Sequence, residues 1–329
     1  MLVYFSFLLC RDTLSDQGVL VTGGLTNSSA TASSELLGSN CSIPDLPYER
    51  SGHITALTTD GTVIACGGET LIDEDVVPDT TCLMLDLESK QWVPHSKTPE
   101  ARITHSATAT IEDAVVIVGL KPLDGTYDPS FAQTFLHLTD NYWGAWYYNY
   151  DAVLSGDNSY AVGFGACAVA LEENKFLVIG GSPAILGSEA TRVMECDLMD
   201  AGSVCTLWPP LSQPRVSHAC QKLGSNIIIS GGAHGDAIIS STSILNIETK
   251  TEHLGGDMNK PRASFGMALM NGTVLAFGGE TVSSTKYSQD RVKTRSIEEW
   301  DEDKEQWMTR DDTMEVPRSH FGFVSFPQS

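Results

Sequence analysis

Positive charge is scarce in this chain. Lys and Arg number 20 against 42 Asp and Glu, a formal charge of −22 over 329 residues. Such a field repels phosphate backbones and anionic membrane surfaces, which disfavours nucleic-acid binding. Long apolar runs are also missing: nothing approaches the roughly 20 residues a membrane-spanning helix needs. G-x-S-x-G, the P-loop, G-x-G-x-x-G and H-E-x-x-H are all absent, which removes the common signatures of hydrolases, nucleotide enzymes and zinc proteases. No C-x-x-C and no Cys/His pair at ligand spacing points to zinc. No cofactor is expected.

What is abundant is glycine, with 29 copies, and short apolar runs. That pattern reads as β-rich. The runs end in glycine pairs at VLVTGG (Gly23, Gly24), TVIACGG (Gly67, Gly68), KFLVIGG (Gly180, Gly181), NIIISGG (Gly231, Gly232) and TVLAFGG (Gly278, Gly279), with a worn copy at VVIVGL that keeps Gly119. Six copies at a spacing of roughly 45 to 60 residues mark a repeat architecture. Copies two to six carry a segment before the glycine strand. Four of these begin with Arg: RSGHITAL at Arg50, RITHSATA at Arg102, RVSHACQK at Arg215 and RASFGMAL at Arg262. The fourth copy has lost the Arg and reads GFGACAVAL. Asp60-Gly61 and Asn271-Gly272 are two-residue hairpin turns joining these segments to the glycine strands. A third strand follows each glycine pair, then a strand bearing Trp92, Trp143 or Trp307; Trp208 is a shifted version, and His253 takes the place in copy five.

Arg segment, glycine pair and Trp recurring in order resemble the kelch repeat, over about residues 17 to 327. The resemblance implies an all-β, six-bladed kelch-type β-propeller in one domain, residues 17–329, preceded by residues 1–16. It also implies how the ring closes. The first glycine strand has no Arg segment before it, and the last residues, RSHFGFVSFPQS from Arg318, contain one. These are expected to pair. Glycine suits the crowded strand ends because it accepts positive φ and close approach, and Trp supplies an apolar plate between blades.

The eight cysteines are even in number. Cys66 and Cys82 fall on antiparallel neighbours and Cys196 and Cys205 in one hairpin, so either pair can reach disulfide distance. Cys167 and Cys220 occupy innermost strands of successive blades; Cys10 and Cys41 are left by elimination. The alternative is buried free thiols. Sequons stand at Asn27, Asn40 and Asn271. The opening MLVYFSFLLC has the length of a signal-peptide core without its basic start or a clean cleavage site, so residues 1–16 read either as a degenerate signal or as a buried extension. Together these features favour a secreted or extracellular protein over a cytoplasmic one. Cys placement beside the glycine pair is similar to that of secreted invertebrate kelch proteins.

Two groups are candidate partner-binding residues, for a protein or a glycan. Arg50, Arg102, Arg215, Arg262 and Arg318 should ring one mouth of the channel. The resemblance to BTB-kelch adaptors implies a grip on acidic peptides through bidentate contacts; alternatively each Arg ties down its own blade. The segment 141–160 holds Trp146, Tyr147, Tyr148 and Tyr150, residue types that dominate binding hot spots, or that fill a gap in the worn third copy. The acidic loop from Glu69 to Asp79 reads as a solvated loop or as an attractor of basic partners. His53, His105 and His218 share one repeat position with Phe265 and Phe321. Exchange with Phe suits packing better than metal ligation, which leaves a galactose-oxidase-like copper radical enzyme as the enzymatic alternative to a non-enzymatic binding scaffold.

Overall fold

The computed structural model describes residues 18–39, 41–58, 60–72, 75–98, 107–111, 114–118, 134–139, 142–147, 164–172, 174–181, 190–199, 202–283 and 290–326. Among these residues the chain is all-β, without helix. Its small antiparallel sheets have a propeller arrangement. Copy two forms a four-stranded blade from Ile54–Leu57, Val63–Cys66, Thr81–Asp86 and Gln91–Lys97, in that spatial order. Copies three to six do the same, with first strands Ala107–Ile111, Cys167–Ala170, Ala219–Leu223 and Gly266–Met270 and last strands Tyr142–Tyr147, Gly202–Leu207, Glu252–Gly255 and Gln306–Thr313.

Five complete four-stranded blades are present where six were expected. Copy one yields a three-stranded sheet: Ser34–Leu37, Val19–Thr22 and Gly322–Ser325. In it the first glycine strand does pair with the C-terminal segment, Val19 opposite Ser325 and Thr22 opposite Gly322. The fourth position is occupied by residues 41–46 without a ladder. Pro44 and Pro47 bring no N–H of their own to a ladder, although Pro94 shows that the outermost strand of a blade accepts a proline. The segment is held instead by Leu46 N–H on the Ala32 carbonyl (2.8 Å) and by the Asp45 carboxylate, which accepts the Ser34 N–H at 2.8 Å.

The first strands touch one another in sequence: Ile54–Leu57 against Ala107–Ile111, then Cys167–Ala170, Ala219–Leu223, Gly266–Met270 and Gly322–Ser325, which in turn touches Ile54–Leu57. The core lies between blades. Ile54, Ile64 and Cys66 of blade two pack with Val115, Ile117 and Leu138 of blade three, and Met267, Val274 and Trp300 of blade six pack with Ile228 and Ile244 of blade five. The repeat Trp residues bridge the same seams. Trp92 donates to the Pro44 carbonyl (2.9 Å), Trp143 to Ser96 Oγ (3.0 Å) and Trp307 to Thr242 Oγ1 (2.9 Å), each reaching the preceding copy. His253 does not substitute for them. It is exposed and faces Glu305 at 3.2 Å.

Both glycines of every described pair have positive φ, as at Gly180 (64°) and Gly181 (86°). Space is as restrictive as the dihedral. A Cβ on Gly180 would lie 2.5 Å from His218 Cε1 and 2.8 Å from the Arg215 carbonyl oxygen, whereas one on Gly61 (φ 83°) would meet nothing within 4 Å. Gly61→Ala should therefore cost only the left-handed penalty, about 1–2 kcal/mol, and Gly180→Ala a further ~1–3 kcal/mol for overpacking. Urea denaturation of the two variants measures the difference; equal losses would show that the glycine pair is not a packing requirement.

Candidate functional site

The Arg segments were one of two groups of site candidates, and the structure places the described ones inside. Arg50, Arg215, Arg262 and Arg318 are each fully buried. Each guanidinium donates to the carbonyl of its own copy's first glycine and to the carbonyl that opens the third strand. Arg215 reaches Gly231 O (2.9 Å) and Ser241 O (2.7 Å); Arg262 reaches Gly278 O (2.8 Å) and Ser296 O (2.9 Å). Arg50 does the same at Gly67 O (3.2 Å) and Thr81 O (2.8 Å), and also donates to Tyr48 Oη. Arg318 reaches back across the chain to Gly23 O (2.9 Å) and Ser33 O (2.8 Å). Three have a carboxylate as well: Arg50 with Asp79 at 2.6 Å, Arg262 with Glu298 at 2.9 Å and Arg318 with Glu35 at 3.0 Å.

The expectation of an exposed Arg ring that grips acidic peptides is thus corrected. These guanidiniums are blade ties, and a partner has no access to them. Burial lowers the basicity of Arg215, Arg262 and Arg318, to about 10 for Arg215, which has no carboxylate in contact. Arg102 lies outside the described residues. Each Arg carbonyl acts too: it accepts the N–H of the second glycine in the preceding copy, Gly24 to Arg50 at 2.8 Å, Gly181 to Arg215 at 3.0 Å, Gly232 to Arg262 at 2.7 Å and Gly279 to Arg318 at 2.8 Å. One residue therefore locks two copies.

The recurring His is also a packing residue. His53 and His218 are buried, His53 with Nε2 on Thr22 Oγ1 at 2.9 Å. Desolvation pushes the His218 imidazole down to about 3, with the Arg215 charge adding to it, and the Ile179 carbonyl is only a weak polar neighbour outside hydrogen-bond geometry. His53 is lowered by desolvation, then by Arg50 and Arg318. Both rings are neutral at physiological pH. Phe265 and Phe321 occupy the equivalent place beneath Gly231 and Gly278. His105 is outside the described residues, and no cluster of three ligand-type side chains occurs among those described.

Sequence reasoning missed a collar at the channel mouth. The residue two after each Arg has left-handed φ: Gly52 (65°), Ser217 (56°), Ser264 (51°) and His320 (53°), with Gly165 (69°) in copy four. Its N–H donates to the carbonyl of the same position one copy back, Ser217 to Gly165 (2.7 Å), Ser264 to Ser217 (2.8 Å), His320 to Ser264 (3.1 Å) and Gly52 to His320 (2.7 Å). The glycines at 52 and 165 were the only hint. Inside the collar is a cavity of about 290 Å³ lined by the first strands, with no Asp, Glu, Lys or Arg among the described residues of its wall.

The remaining candidates lie elsewhere. Trp146 and Tyr147 are on the outermost strand of blade three, Tyr147 opposite Thr134 at the end nearest the glycine-pair face; their side chains, and Tyr148 and Tyr150 altogether, are outside the described residues. Short hairpins stand on that same face: Glu69–Ile72 with Asp75–Pro78, Ala233–His234 with Ala237–Ile238, and Glu280–Val282 with Arg291–Lys293. They carry exposed Leu71, Val76 and Val282. Asn27 is exposed on this face, its Oδ1 accepting the Lys293 N–H at 2.7 Å. Asn271 is exposed in a two-residue turn with φ 53°, and Asn40 is outside the described residues.

Cys66–Cys82, Cys167–Cys220 and Cys196–Cys205 are disulfide-bonded, as are the pairs expected. Cys41 is disulfide-bonded as well; Cys10 lies outside the described residues. No helix is long and apolar enough to cross a membrane among those residues. Neither the protein-family models nor the curated proteins include a match to this chain.

Proposed function

We propose that this chain is a non-enzymatic recognition scaffold of the kelch type, working in an oxidising compartment outside the cytosol and binding a protein or glycan through the face on which its glycine-pair strands end. The observation that carries this reading is a division of labour. The described Arg and His side chains and the glycine pairs of the repeat are engaged in holding blades together, while the described hairpins between glycine pair and third strand differ from copy to copy and present exposed apolar groups. Invariant interior and variable rim are what a binding scaffold needs.

The terminal sheet is read as a sixth blade closing the ring. Arg318 bonded to Gly23 and Ser33, Gly279 bonded to Arg318, and the contact of Gly322–Ser325 with Ile54–Leu57 support closure. Disulfides support the compartment, and Asn27 is the favoured glycan site. The bonded state of the described cysteines leaves no thiol there for a Tyr–Cys cross-link, which weighs against the copper-radical reading. Burial of the Arg ring weighs against an intracellular adaptor for acidic peptides.

Protein secreted from a eukaryotic host should give non-reduced peptides linking Cys66 to Cys82, and a mass loss at Asn27 on glycan removal. Free thiols, a bare Asn27 and retention in the cytosol would overturn the compartment. Leu71→Asp with Val76→Asp should weaken capture of any extracellular partner by roughly ten-fold or more, the size of a lost apolar anchor, with unchanged thermal stability; full retention would remove that face from the site.

A further inference from the structure

The three described disulfides sit in different surroundings. Cys66, Cys82 and Cys196 are fully buried and Cys205 nearly so, each pair enclosed in a core between blades. Cys167–Cys220 joins the innermost strands of blades four and five, with Cα atoms 6.0 Å apart. Both residues line the channel cavity, and Cys220 is only half-buried. A nucleophile entering the channel meets this bond and neither of the other two.

The channel also filters what arrives. Its volume of about 290 Å³ lies at the small end of ligand pockets and is too small to admit a folded protein. The described residues of its wall carry no formal charge, and the molecule around it carries −22, a field that slows anions and favours neutral or cationic solutes.

We propose that Cys167–Cys220 is a thiol-exchange site for small neutral or cationic thiols that enter through the channel. The thiolate of such a molecule attacks Cys220 Sγ, on the less buried residue of the pair. A new S–S bond forms there, the Cys167–Cys220 bond breaks, and Cys167 leaves as a thiolate that takes a proton from water. Cys220 now carries the small thiol as a mixed disulfide. A second small thiol attacks the small-molecule sulfur, releasing Cys220 as a thiol and the small molecule as its own disulfide. Two electrons pass from two small thiols to the protein bond. The seam between blades four and five then keeps its packing and its backbone bonds, Ser217 N–H to Gly165 O and Gly181 N–H to Arg215 O, but loses its covalent link, so exchange at this site loosens the ring at one chosen place.

The test uses the intact protein after mapping has confirmed the three bonds. Native protein is treated with 2-mercaptoethanol, trapped with iodoacetamide at intervals and mapped by mass spectrometry. Cys167 and Cys220 should be labelled about ten-fold or more faster than Cys66, Cys82, Cys196 and Cys205, in keeping with control of exchange by access. Anionic 2-mercaptoethanesulfonate should react more slowly than 2-mercaptoethanol at low salt, the gap closing as salt is raised. Thioredoxin with its reductase, too large for the channel, should leave the bond intact. Labelling of all three pairs at one rate would mean that reduction follows global unfolding and would overturn the proposal. So would reduction by thioredoxin as fast as by 2-mercaptoethanol, since the channel would then not be the route.

Discussion

Arg318→Met should lower the unfolding free energy by about 3–5 kcal/mol, the loss associated with removing one partner from a buried ion pair. Arg318 is fully buried, and its guanidinium lies 3.0 Å from Glu35 Oε1. Without it the Glu35 carboxylate keeps the Glu315 N–H at 2.6 Å but loses its counter-charge. Burial already raises the Glu35 carboxyl above its usual range, the Glu315 N–H and Arg318 pulling the other way. The Gly23 carbonyl loses its Arg318 donor as well, and the Ser33 carbonyl is left with the Gly23 N–H alone. Those two carbonyls belong to the first copy and Arg318 to the C-terminal segment, so the variant tests the closing contact directly. Adding Glu35→Leu should restore part of the loss, because a desolvated charge without a partner costs more than an apolar replacement. Arg215→Met, with no carboxylate in contact, should cost less, about 1–3 kcal/mol, chiefly for the Gly231 carbonyl, since the Ser241 carbonyl keeps the Gly231 N–H at 3.1 Å. Urea denaturation at neutral pH measures all three. A loss below about 1 kcal/mol at Arg318 would show that the N- and C-terminal strands are not held together by this tie.

Acid should destabilise the protein well before its carboxylates titrate. His53 and His218 are buried and neutral, and His218 is pushed down to about 3 by desolvation and then by Arg215. In the unfolded chain both take up a proton near 6.5. The unfolded state therefore binds more protons below that value. Stability contributed by the neutral rings is complete above pH 6.5 and is lost as pH falls towards about 3 for His218. For His218 the slope is about 1.4 kcal/mol per pH unit, or about 2–3 kcal/mol between neutrality and pH 4.5, and His53 contributes in the same direction. His218→Phe copies the side chain that stands at this position in Phe265 and Phe321, so the fold has a place for it. The variant should lose about half of the acid sensitivity in that window. Urea midpoints at pH 7, 5.5 and 4.5 for wild type and variant give the comparison; identical pH dependence would mean that His218 is not the group being protonated.

Much of the fold was legible in the residues because its determinants are local. A glycine pair closing an apolar strand needs positive φ on both glycines wherever it occurs, and Asn271-Gly272 makes the same tight turn in any context. The pairs Cys66–Cys82 and Cys196–Cys205 were readable for a similar reason: strands adjacent in sequence are antiparallel neighbours, and their cysteines fall directly opposite.

What the sequence alone determined, then, is the unit: its strands, its turns and its order of repetition. What tertiary structure decided is the direction in which each unit's charged and polar groups face. An Arg at the start of a first strand is compatible with an outward grip or an inward tie. The outcome depends on carbonyls that are close only after folding, 16 and 34 residues away for Arg262 and 285 and 295 for Arg318. A guanidinium that meets two carbonyls and a carboxylate in a dry seam stays there, because an unpaired buried carbonyl is costly and five N–H donors answer several at once. The same holds for Cys167 and Cys220. Their separation of 53 residues says nothing about contact; the packing of first strands around a channel brings them together and opens that one bond to the channel.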